Sequence, residues 1–175
     1  MTMSFRKALP DDAANLAALT TQVWLHTYAR TGIRQALSDY VLTQFTAENF
    51  RPHLAADTQY FILCEIDGHL VGYLRLDFDT PCPELSDVTT QVVTLYVQEH
   101  FIGKGIGAEL LREADLLSAR RGATHIWLAV NHQNAHAIRF YERQGFERRG
   151  LTYFEFEGER HENFIYLRTV AQPKG

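Results

Sequence analysis

Residues 91–120 constrain this chain more than any other stretch. Gln91 to Val97 is a β-branched, apolar run, and Gly103, Gly105 and Gly107 follow within a few residues. Ile106, Leu110, Leu111, Ala114 and Leu117 then recur at the spacing of one helix face. The predicted unit is a central strand, a glycine turn and an amphipathic helix. Glycines let the backbone approach a bulky group closely. The first amides of a helix have no intrahelical partner, and the helix dipole favours negative charge there. That combination suits a phosphate or pyrophosphate.

Several phosphate compounds could use such a turn. Gly103 to Ala108 formally matches the G-x-G-x-x-A dinucleotide pattern. That pattern expects an acid at the end of the next strand, where this chain has Leu128, Ala129, Val130 and Asn131. The turn also lies past the middle of the chain, which leaves too few parallel strands for a doubly wound sheet. The phosphate loop of nucleotide hydrolases is excluded, because no Gly-Lys-Ser/Thr occurs.

The remaining elements follow from local signals. Ser4 to Ala8 reads as a first strand. Pro10, Asp11 and Asp12 open a helix to about Arg30, with Leu16, Leu19, Val23 and Thr27 on one face. A second helical region covers Gln35 to Leu54, broken near Thr46. Gln59 to Ile66 and His69 to Phe78 read as a hairpin around Asp67-Gly68. The stretch Asp79 to Asp87, with Pro81 and Pro83, is a loop. Thr124 to Val130 is near-continuously apolar, as parallel pairing expects. Asn134 to Gln144 is a helix stopped by Gly145, and Phe146 to Phe156 and His161 to Arg168 are strands around Gly158. The expected class is α/β: one domain over residues 1–175, with a mixed, mostly antiparallel sheet flanked by helices and one parallel pair around the glycine turn.

Two segments in this order resemble the GCN5-related N-acetyltransferase family. Thr94 to Val97 with Gly103 to Leu111 looks like its acetyl-CoA-binding segment. Asn134 to Phe146 looks like the motif that follows it, one strand later. The resemblance extends over Ser4 to Arg168, in element order alone for the first 55 residues. The overall pattern is similar to a bacterial branch with spermidine and spermine acetyltransferases.

The resemblance implies a role for each matched position. Backbone amides across Gly103, Lys104, Gly105, Ile106, Gly107 and Ala108, after Ile102, would hold the CoA pyrophosphate. Leu95, Tyr96 and Val97 would pair with the pantetheine arm like an added strand. The Val97 amide would polarise the thioester carbonyl. Asn134 would touch the cofactor arm, and Tyr141 would give a proton to the departing sulfur. Asn134 also reads as a helix N-cap, and Tyr141 as a packed aromatic. Two positions depart from the family pattern. Ile102 stands where Gln or Arg is usual, so one side-chain donor is missing. Val93 stands where many members carry a Glu base; Glu99, Asp87 and Glu84 are the nearby carboxylates.

His132 and His136 stand four apart, but Gln133 replaces the Glu of a zinc-protease helix, so no metal site is expected. Trp24, Tyr28 and Tyr40 read as core or, by the resemblance, as a wall of the acceptor entrance. Glu155, Glu157, Glu159 and Glu162 read as a solvated face, or as acids that attract a polyamine. Cys64 and Cys82 are too few for a disulfide framework. A net charge of −4 gives no basic surface for nucleic acid. No apolar stretch is long enough to span a bilayer, and the start carries no signal-peptide run, so the reading is cytoplasmic. The expected function is transfer of acetyl from acetyl-CoA to a primary amine of a small molecule, a polyamine first. A protein N-terminus or lysine as acceptor and a non-catalytic acetyl-CoA-binding module are the alternatives. A homodimer is compatible with all three.

Overall fold

The computed structural model describes residues 2–156 and 158–172. They form two compact units. The first holds residues up to Arg75 together with Thr94–Leu111, and the second holds Leu76–Val93 and the chain from Arg112 onward.

In the first unit, β1 (Met3–Lys7) pairs antiparallel with β2 (Gln59–Ile66), and β2 neighbours β3 (His69–Asp77). Asp67 and Gly68 make the turn between β2 and β3 with φ of 50° and 81°, so both residues are left-handed, as a two-residue hairpin requires. The first helix, α1, covers Ala13–Tyr28 and ends two residues before the expected Arg30, while Pro10–Asp12 form a 3₁₀ turn ahead of it. The break near Thr46 is real. The helix α2 (Gln35–Gln44) ends before it, and Thr46 caps α3 (Ala47–Ala55) by accepting from the Asn49 amide. Leu16 and Leu19 of α1 pack with Phe50 of α3 and with Phe61, Leu63 and Tyr73 of the sheet. Arg6 on β1 binds both carboxylate oxygens of Asp12 at 2.8 Å and Glu65 on β2 at 2.7 Å, which fixes the entry into α1.

β4 (Gln91–Val97) contributes its last four residues to the first unit, beside β3, and its first three to the second. There Gln91 pairs in parallel with Trp127 of β5 (His125–Asn131). The link from β4 to β5 is α4 (Ile106–Arg120), which makes the crossover that parallel pairing needs. After β5 come α5 (Ala135–Arg143), β6 (Glu147–Phe156) and β7 (Glu159–Thr169). β7 lies between β5 and β6 and is antiparallel to both. The fold class is thus the expected one: seven strands among the described residues, mostly antiparallel, with β4 and β5 the parallel pair.

The loop before β4 is more ordered than its prolines suggested. Cys82 and Val88 are buried against Trp127, Ile165 and Leu167, and the Trp127 indole donates to Thr80 O at 2.8 Å. Cys64 and Cys82 are both buried free thiols. Among the described residues no helix is long and apolar enough to cross a membrane.

Candidate functional site

In the first unit the candidate positions lie at the end of β4 and in the turn that follows. Gln98 N donates to Val71 O at 2.8 Å. Gly72 lies so close that a Cβ there would come within 2.9 Å of Tyr96 O and 3.5 Å of Val97 Cα. The backbone groups of Tyr96 and Gln98 therefore face β3. Backbone direction alternates along a strand, so the N–H and C=O of Leu95 and Val97 point to the opposite edge. The Val97 amide is an outward-facing donor, which suits an incoming carbonyl.

A single 3₁₀ turn, Glu99–Phe101, then leads into the glycines. Gly103 and Gly105 have φ of 85° and 79°, a region that disfavours any side chain. An added Cβ at either would meet nothing within 4 Å, so the space over the turn is open. Gly105 O accepts from Glu109 N at 3.1 Å and opens α4. Gly107 differs: it sits inside the first helical turn, without a positive φ. Two of the three glycines are thus needed for backbone geometry. The amides of Ile106, Gly107 and Ala108 occupy the helix start, where no intrahelical acceptor exists. An open cradle with converging amides fits a pyrophosphate. Lys104 places its ammonium 5.3 Å from the centre of the Phe101 ring, and Ile102 is exposed and offers no side-chain donor.

Three side chains from the last half of α1 reach this segment. Gln98 donates to Gln22 at 2.9 Å, the Trp24 indole donates to the Tyr96 hydroxyl at 3.0 Å, and His26 Nδ1 contacts the Glu99 carboxylate. A groove of about 370 Å³ runs beside them, lined by Thr21, Gln22, Leu25, His26 and Glu99. No local pattern announces the His26–Glu99 pair, since the two residues lie on separate elements. Trp24 also packs on Tyr28, Tyr40 and Phe45 with ring centroids 4.7 to 5.2 Å apart. This aromatic wall is a self-packed cluster, with Tyr28 half-exposed at its margin. Burial raises the Tyr96 hydroxyl to about 12, so it stays protonated.

The other two candidates, Asn134 and Tyr141, belong to α5 in the second unit. Asn134 caps this helix, accepting from Ala137 N at 3.2 Å. Tyr141 is buried between Phe140 and Phe146, with centroids at 5.3 and 5.6 Å. Gly145, with φ of 87°, ends the helix and lets Phe146 N return to Tyr141 O at 3.0 Å.

The other candidates fare unevenly. Val93 is partly exposed on β4 and brings no carboxylate. Asp87 and Glu84 are exposed in the preceding loop, and Glu84 packs where a Gly150 side chain would be. Glu157 lies outside the described residues. Glu155 stands opposite Arg160 in the β6–β7 ladder, and Arg160 rests 3.9 Å from the centre of the Tyr153 ring, opposite Glu162. That guanidinium offsets part of the acidic cluster, so the last hairpin attracts a polycation less than its sequence suggested. His132 lies in the turn before α5, its ring against Glu162 O at 3.0 Å. Among the described residues no group of three His, Cys, Asp or Glu side chains is placed to hold a metal ion.

Residues 21–146 match the model of the acetyltransferase (GNAT) family. The chain is 23% identical over 151 residues to spermidine N(1)-acetyltransferase of Thermoplasma acidophilum, covering 84% of this chain and 89% of that one. It is 34% identical over 103 residues to streptothricin acetyltransferase of Streptomyces lavendulae, covering 59% of this chain and 52% of that one. Its fold is similar to that of PaiA N-acetyltransferase from Thermoplasma acidophilum, solved in complex with coenzyme A. The TM-score is 0.78 at 21% identity, over 97% of this chain and 99% of that one.

Proposed function

This chain belongs to the GNAT acetyltransferase family and is an acetyl-CoA-dependent N-acetyltransferase, and we propose that its acceptor is the primary amine of a small molecule, a polyamine before others. The relative named for spermidine, aligned over most of both chains, carries the choice of acceptor. The relative named for streptothricin supports a second reading, a bulkier amine, over about half of its own length.

Each residue then has a task. The cosubstrate brings an activated acetyl thioester. The amides from Gly103 to Ala108 hold its pyrophosphate. Leu95 and Val97 offer outward backbone groups to its extended arm. The Val97 N–H donates to the thioester oxygen, which gains negative charge as the amine attacks. Asn134 contacts the arm while capping α5. Tyr141 gives its proton to the sulfur as the carbon–sulfur bond breaks. Ile102 adds no donor, so the backbone carries the anion.

The acceptor must arrive neutral. An alkyl amine with a pKa of about 10.4 is roughly 0.1% neutral near pH 7.4, a cost of about 4 kcal/mol. Glu99 faces His26 and Val93 carries no base. Desolvation of the amine, or a path through water, therefore supplies most of the deprotonation. The rate should climb with pH from 7 to 9, without an early plateau set by a carboxylate.

A thiol-release assay with acetyl-CoA tests this reading. Spermidine, spermine, streptothricin, amino acids and peptides serve as acceptors. Fastest turnover with a polyamine supports the proposal. Preference for streptothricin moves the acceptor to the second reading, preference for peptides removes both, and no release with any amine leaves only a binding module.

A further inference from the structure

β6 ends the strand order beside β7, so among the described residues no strand pairs with the outer edge of this ten-residue strand. Its residues Leu151, Tyr153 and Phe154 are 40%, 52% and 38% exposed. From Gly150 to Phe154 it has no charge and no proline, the usual devices that blunt an edge. An edge of this length and apolarity is a template for another strand.

The backbone direction of that edge can be worked out. His132 N donates to Glu162 O at 3.0 Å and Val170 N donates to Thr124 O at 2.8 Å. The even-numbered residues of β7 thus face β5, and the odd ones face β6. Glu162 pairs with Tyr153, Phe164 with Leu151 and Arg160 with Glu155. The N–H and C=O groups of Leu151, Tyr153 and Glu155 therefore point outward, away from β7.

We propose that β6 pairs antiparallel with β6 of a second copy of this chain across a twofold axis, with Thr152 opposite Thr152. A twofold contact must be complementary to itself. In this register outward groups meet outward groups, Leu151 opposite Tyr153 of the second copy and Tyr153 opposite its Leu151. Arg149 then stands opposite Glu155 of the second copy at both ends of the ladder. Shifting the register one way sets Leu151 opposite Leu151 and Arg149 opposite Tyr153, and leaves Glu155 beyond the second copy's bulge with no ladder partner. Shifting it the other way sets Tyr153 opposite Tyr153 and Leu151 against Glu155. Opposite-charge and aromatic–aliphatic cross-strand pairs stabilise, and of these three registers the Thr152 one makes both, so it is selected. Arg149 is free of the β7 register, because the ladder skips from Arg148 to Gly150. It is exposed and, among the described residues, is paired with Glu147 of its own chain at 3.3 Å, a surface contact that leaves it able to turn to the second copy. The bulge also ends the new ladder at that point.

Sedimentation equilibrium of the full chain across a wide concentration range tests the proposal. The wild type should be a dimer. Glu155→Arg should weaken it roughly tenfold or more, by turning two attractive pairs into repulsive ones. The double variant Arg149→Glu with Glu155→Arg should restore it. Tyr153→Pro removes an outward N–H that β7 does not use and should give a monomer with an unchanged circular dichroism spectrum. If that variant unfolds, the charge swap still decides. A monomeric wild type overturns the proposal. So does a dimer indifferent to Glu155→Arg, or one that the double variant fails to restore.

Discussion

Replacing Gly72 with alanine adds one methyl group where β3 meets the working end of β4. The new Cβ would lie 2.9 Å from Tyr96 O, 3.4 Å from Ile106 Cγ2 and 3.5 Å from Val97 Cα. The first distance is shorter than such contacts tolerate, and the obstacle is a backbone carbonyl that cannot rotate away alone. β4 must move by a few tenths of an ångström. Overpacking of this kind costs about 1–3 kcal/mol. Alanine also restricts the unfolded chain, which offsets about 0.4–1 kcal/mol. The net loss should be about 1–2 kcal/mol, or roughly 2–8 °C in Tm for a chain of this size. The displaced segment carries the Val97 amide. A 1 Å misplacement can cost about 100-fold in rate, so a smaller shift should lower kcat about tenfold. The KM for acetyl-CoA should change less, because Gly103 and Gly105 are untouched. Thermal melts followed by circular dichroism, with thiol-release kinetics, measure both effects. A variant as stable as wild type would refute the close approach. A destabilised variant with unchanged kcat would refute the role of the Val97 amide.

Gly105→Glu places bulk, strain and negative charge over the anion cradle, so calorimetry should show a large loss of acetyl-CoA affinity in a protein that still folds. Unchanged affinity would remove the turn from the binding site. Tyr141→Phe keeps the ring between Phe140 and Phe146 and loses only the hydroxyl, so kcat should fall about 10²–10⁴-fold with cofactor affinity nearly unchanged. Full activity at saturating substrate would end its assignment as proton donor. The Arg6 guanidinium holds the Asp12 carboxyl below its ordinary value of 3.8, ahead of the opposing effect of burial. A depressed folded-state pKa stabilises the fold above the ordinary value, and that stabilisation is lost as pH falls through the lower one. The stability gap between wild type and Asp12→Asn in urea melts should therefore be full at pH 7 and close below about pH 4. A gap that persists at pH 2 would contradict the ion pair as its source.

The sequence by itself determined the elements and the local turns and caps at the candidate positions. Asp67-Gly68, Thr46, Asn134, Gly145 and the glycine turn act through bonds to residues at most five apart, so the chain states them directly. The β-α-β order around Gly103 required a parallel pair, and β4 and β5 form it. Only the tertiary structure decided what depends on distant residues. Gln22 meets Gln98 across 76 positions, and Arg168 meets both oxygens of Asp115 at 2.6 Å across 53, burying two charges on elements that read as ordinary apolar faces. Gly72 looked like any glycine in a strand until β4 was laid beside it. The last glutamates read as an acidic cluster until the β6–β7 register set Arg160 against Glu155. Periodicity reports which face of an element is apolar, because it arises from bonds within that element. It does not report which residue of another element stands opposite, because the packing of whole strands and helices sets that.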